Sequence, residues 1–293
     1  MIYIIGGQTA SGKTELALEF AQKIGAHIIN GDAFQVYRRL DIGTAKASKE
    51  EQSLVPHHLI DIVDINEAFS IFEYQELARK IIDRLVAKNI PVVIVGGSGL
   101  YIRSVLFDYR FSPNSEADMA RFEKMDNYRL HQYLASIDEI SAEKIHFNNR
   151  RRVLRAIEIY LQTGLSKSAL ELEQSKQPYY PYTMVMVDWD KEQLDARILE
   201  RIRLMFAQGL RSELAELLET FPSSSPGFRA IGYKEMIENA NYSDEQLIDL
   251  INKNTIHYAK RQKTFFKNQF NISSFTKREE ALEFLLDTFK GAL

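Results

Sequence analysis

Apolar positions along the chain follow two rhythms. In the first third, short unbroken apolar runs alternate with stretches of helical period. Ile2–Ile5 reads as a buried strand, Thr14–Ile24 as a helix and His27–Asn30 as a second strand. Ser70 and Glu73 have capping-box spacing ahead of a helical stretch reaching Asn89, and Pro91–Val95 is rich in β-branched residues. Strand–helix–strand spacing of this kind predicts a parallel sheet with helices on its faces, an α/β fold. From Ser112 to about Tyr180 the pattern becomes polar and helical, closing in Gln177-Pro178-Tyr179-Tyr180-Pro181. Thr183–Val187 resumes a strand, Lys191–Phe221 reads as a long helix interrupted at Gly209, Ser223–Gly227 as a loop, and the remainder as helical. The expected organisation is a core of residues 1–111 and 182–293 around a helical insertion domain, 112–181.

Composition narrows the class. Hydrophobic residues at 45% and charged residues at 26% of 293 are globular values and exclude disordered and fibrous chains. No apolar run approaches the ~20 residues that span a bilayer. Cysteine is absent, which excludes disulfides, iron–sulfur clusters and Cys-based zinc sites. The amino terminus, MIYIIGGQTASGKT, has no basic leader region and enters a strand at once, so a cytoplasmic protein is expected. Lys and Arg total 37 against 40 Asp and Glu, a net charge of −3, which excludes chain-wide polyanion binding but allows a local basic surface.

The strongest local signal is Gly7-Gln8-Thr9-Ala10-Ser11-Gly12-Lys13-Thr14, which fills G-x-x-x-x-G-K-[ST] between a strand and a helix. The glycines let successive backbone N–H groups turn inward and the helix N-terminus adds positive potential. Lys13 supplies a point charge and Thr14 a hydroxyl for magnesium. The fold expected is therefore a P-loop NTPase-like parallel sheet flanked by helices, with a helical insertion domain and a helical C-terminal region. One feature argues against a nucleoside triphosphate. Pro91–Val95 runs into Gly96-Gly97-Ser98-Gly99, without the acid that ordinarily holds nucleotide magnesium. The motif shows a diphosphate-sized cradle and not a nucleotide.

Three further positions carry chemistry. Asp32 follows the second strand, at the end where open α/β sheets place ligands; it reads either as a surface turn acid or as a general base or magnesium-side carboxylate. Gly96–Gly99 reads either as a tight turn or as a second close approach to phosphate. Arg201 falls roughly 20° from Leu194 on the apolar stripe Leu194, Ile198, Ile202 and Met205, whereas Arg203 points away. A cation on a buried face needs an anion, from a ligand or from a structural salt bridge.

Basic residues gather in two places. Arg151, Arg152 and Arg155 spread over about 100° of one helix face, next to Arg150. Residues 251–278 contain no acid and carry Lys253, Lys260, Arg261, Lys263, Lys267, Lys277 and Arg278, interleaved with His257, Tyr258, Phe265, Phe266 and Phe270. Cations plus aromatic faces suit an unstacked RNA loop, although a charged helix face is often only solvated and Phe265 and Phe266 suit a core.

GGQTASGKT, GDAFQVYRRLDIGTAK, PHHLIDI, VGGSGLY, NNRRRVLRAIEIY, RAIGYKE and YAKRQKTFF follow one another across most of the chain. In this order and spacing they resemble the tRNA dimethylallyltransferases, the isopentenyltransferases that prenylate an adenosine beside the anticodon. The resemblance implies a P-loop fold holding dimethylallyl diphosphate, a magnesium requirement, and the anticodon stem-loop of tRNA as partner. It implies attack by the exocyclic N6 amine of adenosine 37 on the allylic carbon, with pyrophosphate leaving. Asp32 matches the family's proton acceptor and Gln35 the residue that reads the base edge, within Asp32-Ala33-Phe34-Gln35. Ser98 matches a diphosphate-side Thr, and Arg201 a diphosphate-side arginine. Arg151, Arg152, Arg155, Lys260 and Arg261 fall on the expected tRNA-binding face. A monomer is expected.

The chain departs from the family pattern at several positions. Gln8 stands for Pro, Ala33 for the Ser of D-S-x-Q, Ser98 for Thr, Asn149 for Asp, Ile256 for Arg and Phe265 for Trp. Competing readings are an adenylate isopentenyltransferase acting on free AMP, a P-loop small-molecule kinase, and a tRNA-binding protein with a relict cradle.

Overall fold

The computed structural model describes residues 2–107, 119–173 and 177–292. In chain order its elements are β1 (Ile2–Gly6), α1 (Lys13–Ile24), β2 (His27–Asn30), α2 (Lys49–Leu54), β3 (His57–His58), α3 (Ile71–Val86), β4 (Val92–Gly96) and α4 (Gly99–Leu106). Then come α5 (Ala120–Glu123), α6 (Asn127–Ile137), α7 (Glu139–Lys144), α8 (Arg150–Thr163) and α9 (Lys167–Glu173). The chain continues with β5 (Tyr182–Val187), α10 (Lys191–Ala207), α11 (Leu210–Thr220), a 3₁₀ turn (Pro226–Arg229), α12 (Tyr233–Glu238), α13 (Asp244–Gln269), β6 (Ser273–Phe275) and α14 (Arg278–Lys290). It falls into two compact units, Met1–Leu106 with Tyr179–Leu293, and Phe107–Pro178. The sequence boundary at Ser112 lies outside the described residues. None of the described helices is long and apolar enough to cross a membrane.

The first unit is built on a six-stranded, wholly parallel sheet in the order β3-β2-β4-β1-β5-β6. Its middle strands are covered on both faces, which is why β1 and β4 read as unbroken apolar runs instead of alternating ones. Register decides what happens at the carboxyl edge. Gly6 lies opposite Gly96, and Asn30 opposite Val95. The loops leaving β1, β2 and β4 therefore emerge side by side. A Cβ on Gly96 would stand 2.2 Å from the Gly31 carbonyl, so these loops approach as closely as they do only because position 96 has no side chain.

Two apolar clusters support this edge. One gathers Tyr3, Ile5, Phe20, Ile28, Val93, Val185 and Leu285 beside the sheet. The other joins Val36, Leu40, Ile198, Ile202, Leu210, Tyr233 and Ile251 from the segment after β2 and from α10 to α13. The second unit has its own core, Phe122, Leu130, Leu134, Val153, Ala156 and Ile157. Arg150 is structural there: its guanidinium donates to the carbonyls of Phe122, Glu123 and Met125 at 3.1, 2.6 and 2.6 Å, closing the end of α5.

Some boundaries differ from the sequence reading. Ser70 and Glu73 do form the capping box of α3, but the helix ends at Val86 rather than Asn89. Asn89 turns left-handed at φ 56°, ahead of a residue that Pro91 holds out of the helical region. Gly209, at φ 99°, separates α10 from α11 as expected. β3 and β6 were not expected: two and three residues are too short to show a period, and neighbour pairing alone defines them.

The β2–β3 edge carries an acid-sensitive contact. His27 Nδ1 lies 2.9 Å from His58 Nε2, so one ring must stay neutral to accept. Burial lowers the pKa of His27, His57 and His58, with the Arg84 charge adding to the shift at His27 and His58. The unfolded chain then binds more protons just below the ordinary value of about 6.5, so stability falls as pH falls through that value. Melting temperature is expected to drop between about pH 7 and pH 5, and less so in His58→Gln. A scan of both proteins across that range checks it; equal slopes would remove the pair from the explanation.

Candidate active site

The P-loop takes the backbone form that its glycines allow. Gly7, Ala10 and Gly12 are left-handed at φ 123°, 58° and 86°, turning the loop ahead of the first turn of α1. Lys13 Nζ donates to the Gln8 carbonyl at 2.5 Å. Its pKa is pushed down to about 7, first by burial and then by the neighbouring charge of Arg201, with Asp32 opposing. An anion in the cradle would relieve both effects.

Arg201 reaches the same place from α10, its Nη1 3.4 Å from Thr9 Oγ1. Among the described residues it forms no ion pair, which leaves the salt-bridge alternative without a partner. Burial lowers its pKa and the charge of Asp32 opposes the shift. Arg197, one turn earlier, was missed in the sequence. Its Nε donates to the Ala10 carbonyl at 2.9 Å and its guanidinium lies 4.7 Å over Trp189. Trp189 Nε1 in turn donates to the Ser11 carbonyl at 3.1 Å. The signal was present: a second arginine four residues before Arg201 shares its helix face.

Asp32 stands across the pocket. Its Oδ1 accepts from the Phe34 N–H at 3.0 Å, fixing the rotamer, and among the described residues Oδ2 has no hydrogen-bond partner. The stalk beneath it is rigid, because Asn30 brackets residue 32 with two 2.9 Å bonds and takes a 2.8 Å bond from Tyr74 on its carbonyl. Gln35 donates through Nε2 to the Thr44 and Ala45 carbonyls at 3.1 and 3.4 Å, so only its carbonyl oxygen remains for a base edge. Toward a base edge Gln35 is therefore an acceptor. The loop supplying those carbonyls hangs from Glu213, which accepts from the N–H groups of Asp41 and Ile42 at 3.1 and 2.9 Å.

Ser98 is tied to the Asp32 loop. Its Oγ accepts from the Ala33 N–H at 2.9 Å, tying the β4–α4 turn to the Asp32 loop. Other departures have local explanations. Gln8 is buried and donates to the Ala259 carbonyl at 3.2 Å, docking the P-loop on α13. Ile256 packs against the apolar cluster of α10 to α13 instead of presenting a cation. Asn149 makes no side-chain cap for α8.

The basic surfaces are thinner in space than in sequence. Lys263 and Lys267 both pair with Asp188, at 2.5 and 2.8 Å, and Arg278 pairs with Glu15 at 3.2 Å. Phe266 is fully buried against Gly6 and belongs to the core, whereas Phe265, half-buried, packs on Gly99. Lys260 and Arg261 stay exposed and form no ion pair among the described residues, and Arg261 lines the pocket. On the second unit Arg151 and Arg152 are exposed, whereas Arg155 is paired with Glu158 at 2.6 Å.

Thr9, Ala10, Lys13, Thr14, Asp32, Phe34, Gln35, Arg201 and Arg261 thus line one pocket of about 310 Å³, with an apolar wall of Ile198, Ile202, Met205, Leu210 and Ile251. No cluster of three or more His, Asp or Glu side chains that could hold a metal occurs among the described residues. A magnesium ion there would have one hard oxygen from the protein, Thr14 Oγ1, and would take the rest from a diphosphate and water.

A family model described as IPP transferase matches residues 35–269. The chain belongs to the IPP transferase family. It is 42% identical to the tRNA dimethylallyltransferase of Staphylococcus carnosus, with 98% of this chain and 94% of that relative covered. It is 38% identical to that of Staphylococcus saprophyticus at the same coverage. Two solved structures share the fold. The tRNA delta(2)-isopentenylpyrophosphate transferase of Staphylococcus epidermidis superposes at TM-score 0.73, with 37% identity over 100% of this chain and 99% of that one. A eukaryotic dimethylallyltransferase acting on tRNA superposes at 0.82, with 26% identity over 93% and 73%. The P-loop α/β fold and the prenyltransferase class expected from sequence both hold for this IPP transferase.

Proposed function

We propose that the chain transfers the dimethylallyl group of dimethylallyl diphosphate to N6 of adenosine 37 in tRNA, beside the anticodon, releasing pyrophosphate. The observation carrying this reading is the shared pocket: a P-loop with two cations, Lys13 and Arg201, faces a carboxylate, Asp32, whose Oδ2 is unengaged. The phosphate side suits a leaving group that gains charge as the allylic C–O bond breaks. The carboxylate side suits a weak nucleophile whose proton must go elsewhere as its nitrogen bonds carbon. Gln35 would accept from the amine through its free carbonyl oxygen, orienting the lone pair. Magnesium held by Thr14 and the diphosphate oxygens would supply charge neutralisation for the leaving group.

The acceptor enters from the solvent side, past Arg261 and Lys260, and the base must leave its stack to reach Asp32. A monomer in the cytoplasm fits this reading. Free AMP as acceptor is disfavoured because it has no use for the cations Arg151 and Arg152 on a separate helical unit. The test is incubation with dimethylallyl diphosphate, magnesium and unmodified tRNA, and in parallel with AMP, followed by mass spectrometry of nucleosides. A prenylated adenosine from tRNA alone supports the proposal, and prenylated AMP or an unmodified tRNA would overturn it.

Replacing Arg151 and Arg152 together with Ala is expected to weaken tRNA binding and flatten its salt dependence, because each phosphate contact releases counterions. Arg155→Ala should change the slope less, since Glu158 already neutralises that cation. Binding titrations at several salt concentrations check both, and an unchanged slope in the double variant returns these residues to a solvated face.

A further inference from the structure

One turn of α13 joins the two loops that form the cradle. Gln262 is buried, and each end of its amide is engaged. Its Oε1 accepts from the Thr9 N–H of the P-loop at 2.8 Å, and its Nε2 donates to the Gly97 carbonyl after β4 at 2.9 Å. The fit leaves no slack, because a Cβ on Gly97 would stand 2.2 Å from that Nε2. Beyond Gly97 the connection continues, with Ser98 Oγ accepting from the Ala33 N–H at 2.9 Å. A single buried amide therefore starts an unbroken chain from the P-loop backbone, through the β4–α4 turn, to the residue beside Asp32.

We infer that Gln262 is a positioning residue for the transfer reaction, holding the diphosphate cradle and the Asp32 carboxylate at a fixed separation. The inference rests on the functional reading above. Nothing in the pocket bonds Thr9 directly to Asp32 among the described residues, so their spacing is transmitted through the two loops. Allylic transfer needs the amine, the carbon and the leaving oxygen in line, and a misplacement of about 1 Å can cost 10²-fold. Bonding an N–H and a carbonyl together needs a side chain with both an acceptor and a donor, and a primary amide presents the two on one rigid plane.

Gln262→Met separates this role from packing, since Met has similar length and fills the same space without either bond. Its kcat is expected to fall roughly 10–100-fold, with melting temperature and tRNA affinity near wild type and faster hydrogen exchange at the Thr9 amide. Gln262→Asn, too short to reach Thr9 and Gly97 together, is the second variant and should lose kcat similarly. Wild-type kcat in the Met variant, or a loss that merely follows a lowered melting temperature in both variants, would overturn the inference. Failure of the wild-type protein to prenylate tRNA would instead overturn the functional reading, so the two failures are distinguishable.

Discussion

Asp32→Asn is expected to lower prenylation turnover by ~10²–10⁴-fold while leaving tRNA affinity close to wild type. The substitution keeps size and shape and removes charge and basicity. Asn retains a side-chain oxygen for the Phe34 N–H, so the rotamer and the Asn30 bracket persist. What disappears is the acceptor at Oδ2, where the amine proton would go. Affinity for tRNA should survive because most contacts to a nucleic acid are to phosphates away from the reacting base. Ala33 sharpens the experiment: position 33 has no hydroxyl to take over a lost hydrogen bond. Single-turnover kinetics at saturating tRNA, paired with equilibrium binding, measures both quantities.

Arg201→Ala carries the second large effect, a fall of ~10²–10³-fold in turnover, the usual loss when one preorganised donor to developing charge is removed. Lys13→Ala should behave alike. Each cation reaches the cradle from a different element, Arg201 from α10 and Lys13 from α1, and among the described residues neither forms an ion pair. The double variant should lose more than the sum of the two single effects, because burial and Arg201 together push the Lys13 pKa down to about 7. Removing Arg201 lifts one of those burdens, so the remaining lysine becomes a better cation. Turnover at subsaturating dimethylallyl diphosphate for both single variants and the double variant checks this. Normal turnover by either single variant would contradict its place at the leaving group.

The sheet and the cradle were legible in the sequence because they depend on local rules. Unbroken apolar runs, a glycine-rich strand-to-helix turn and the Ser70–Glu73 box each leave a mark within ten residues. The Arg201 face was legible through helical period alone. What stayed hidden depends on neighbours distant in sequence. β3 and β6 exist through pairing with Ile28, Ile29, Val185, Met186 and Val187. Lys263 and Lys267 looked like RNA ligands because residues 251–278 hold no acid, yet Asp188 arrives from the end of β5 to pair with both. Ser98 kept its hydroxyl as the family pattern asks, but only the register of β2 and β4 shows that the oxygen faces Ala33. Gln262 could not be singled out at all, since its two partners lie at positions 9 and 97.

The role of Asp32 also separates the two chemistries that its position permits. A proton acceptor and a magnesium-side carboxylate both lose activity as Asn, but they respond differently to metal. The deciding measurement is single-turnover prenylation of saturating tRNA by wild type and Asp32→Asn across a magnesium titration. The account predicts a variant slow by ~10²–10⁴-fold at every magnesium concentration. Recovery toward wild type as magnesium rises, or near-wild-type turnover throughout, would contradict it.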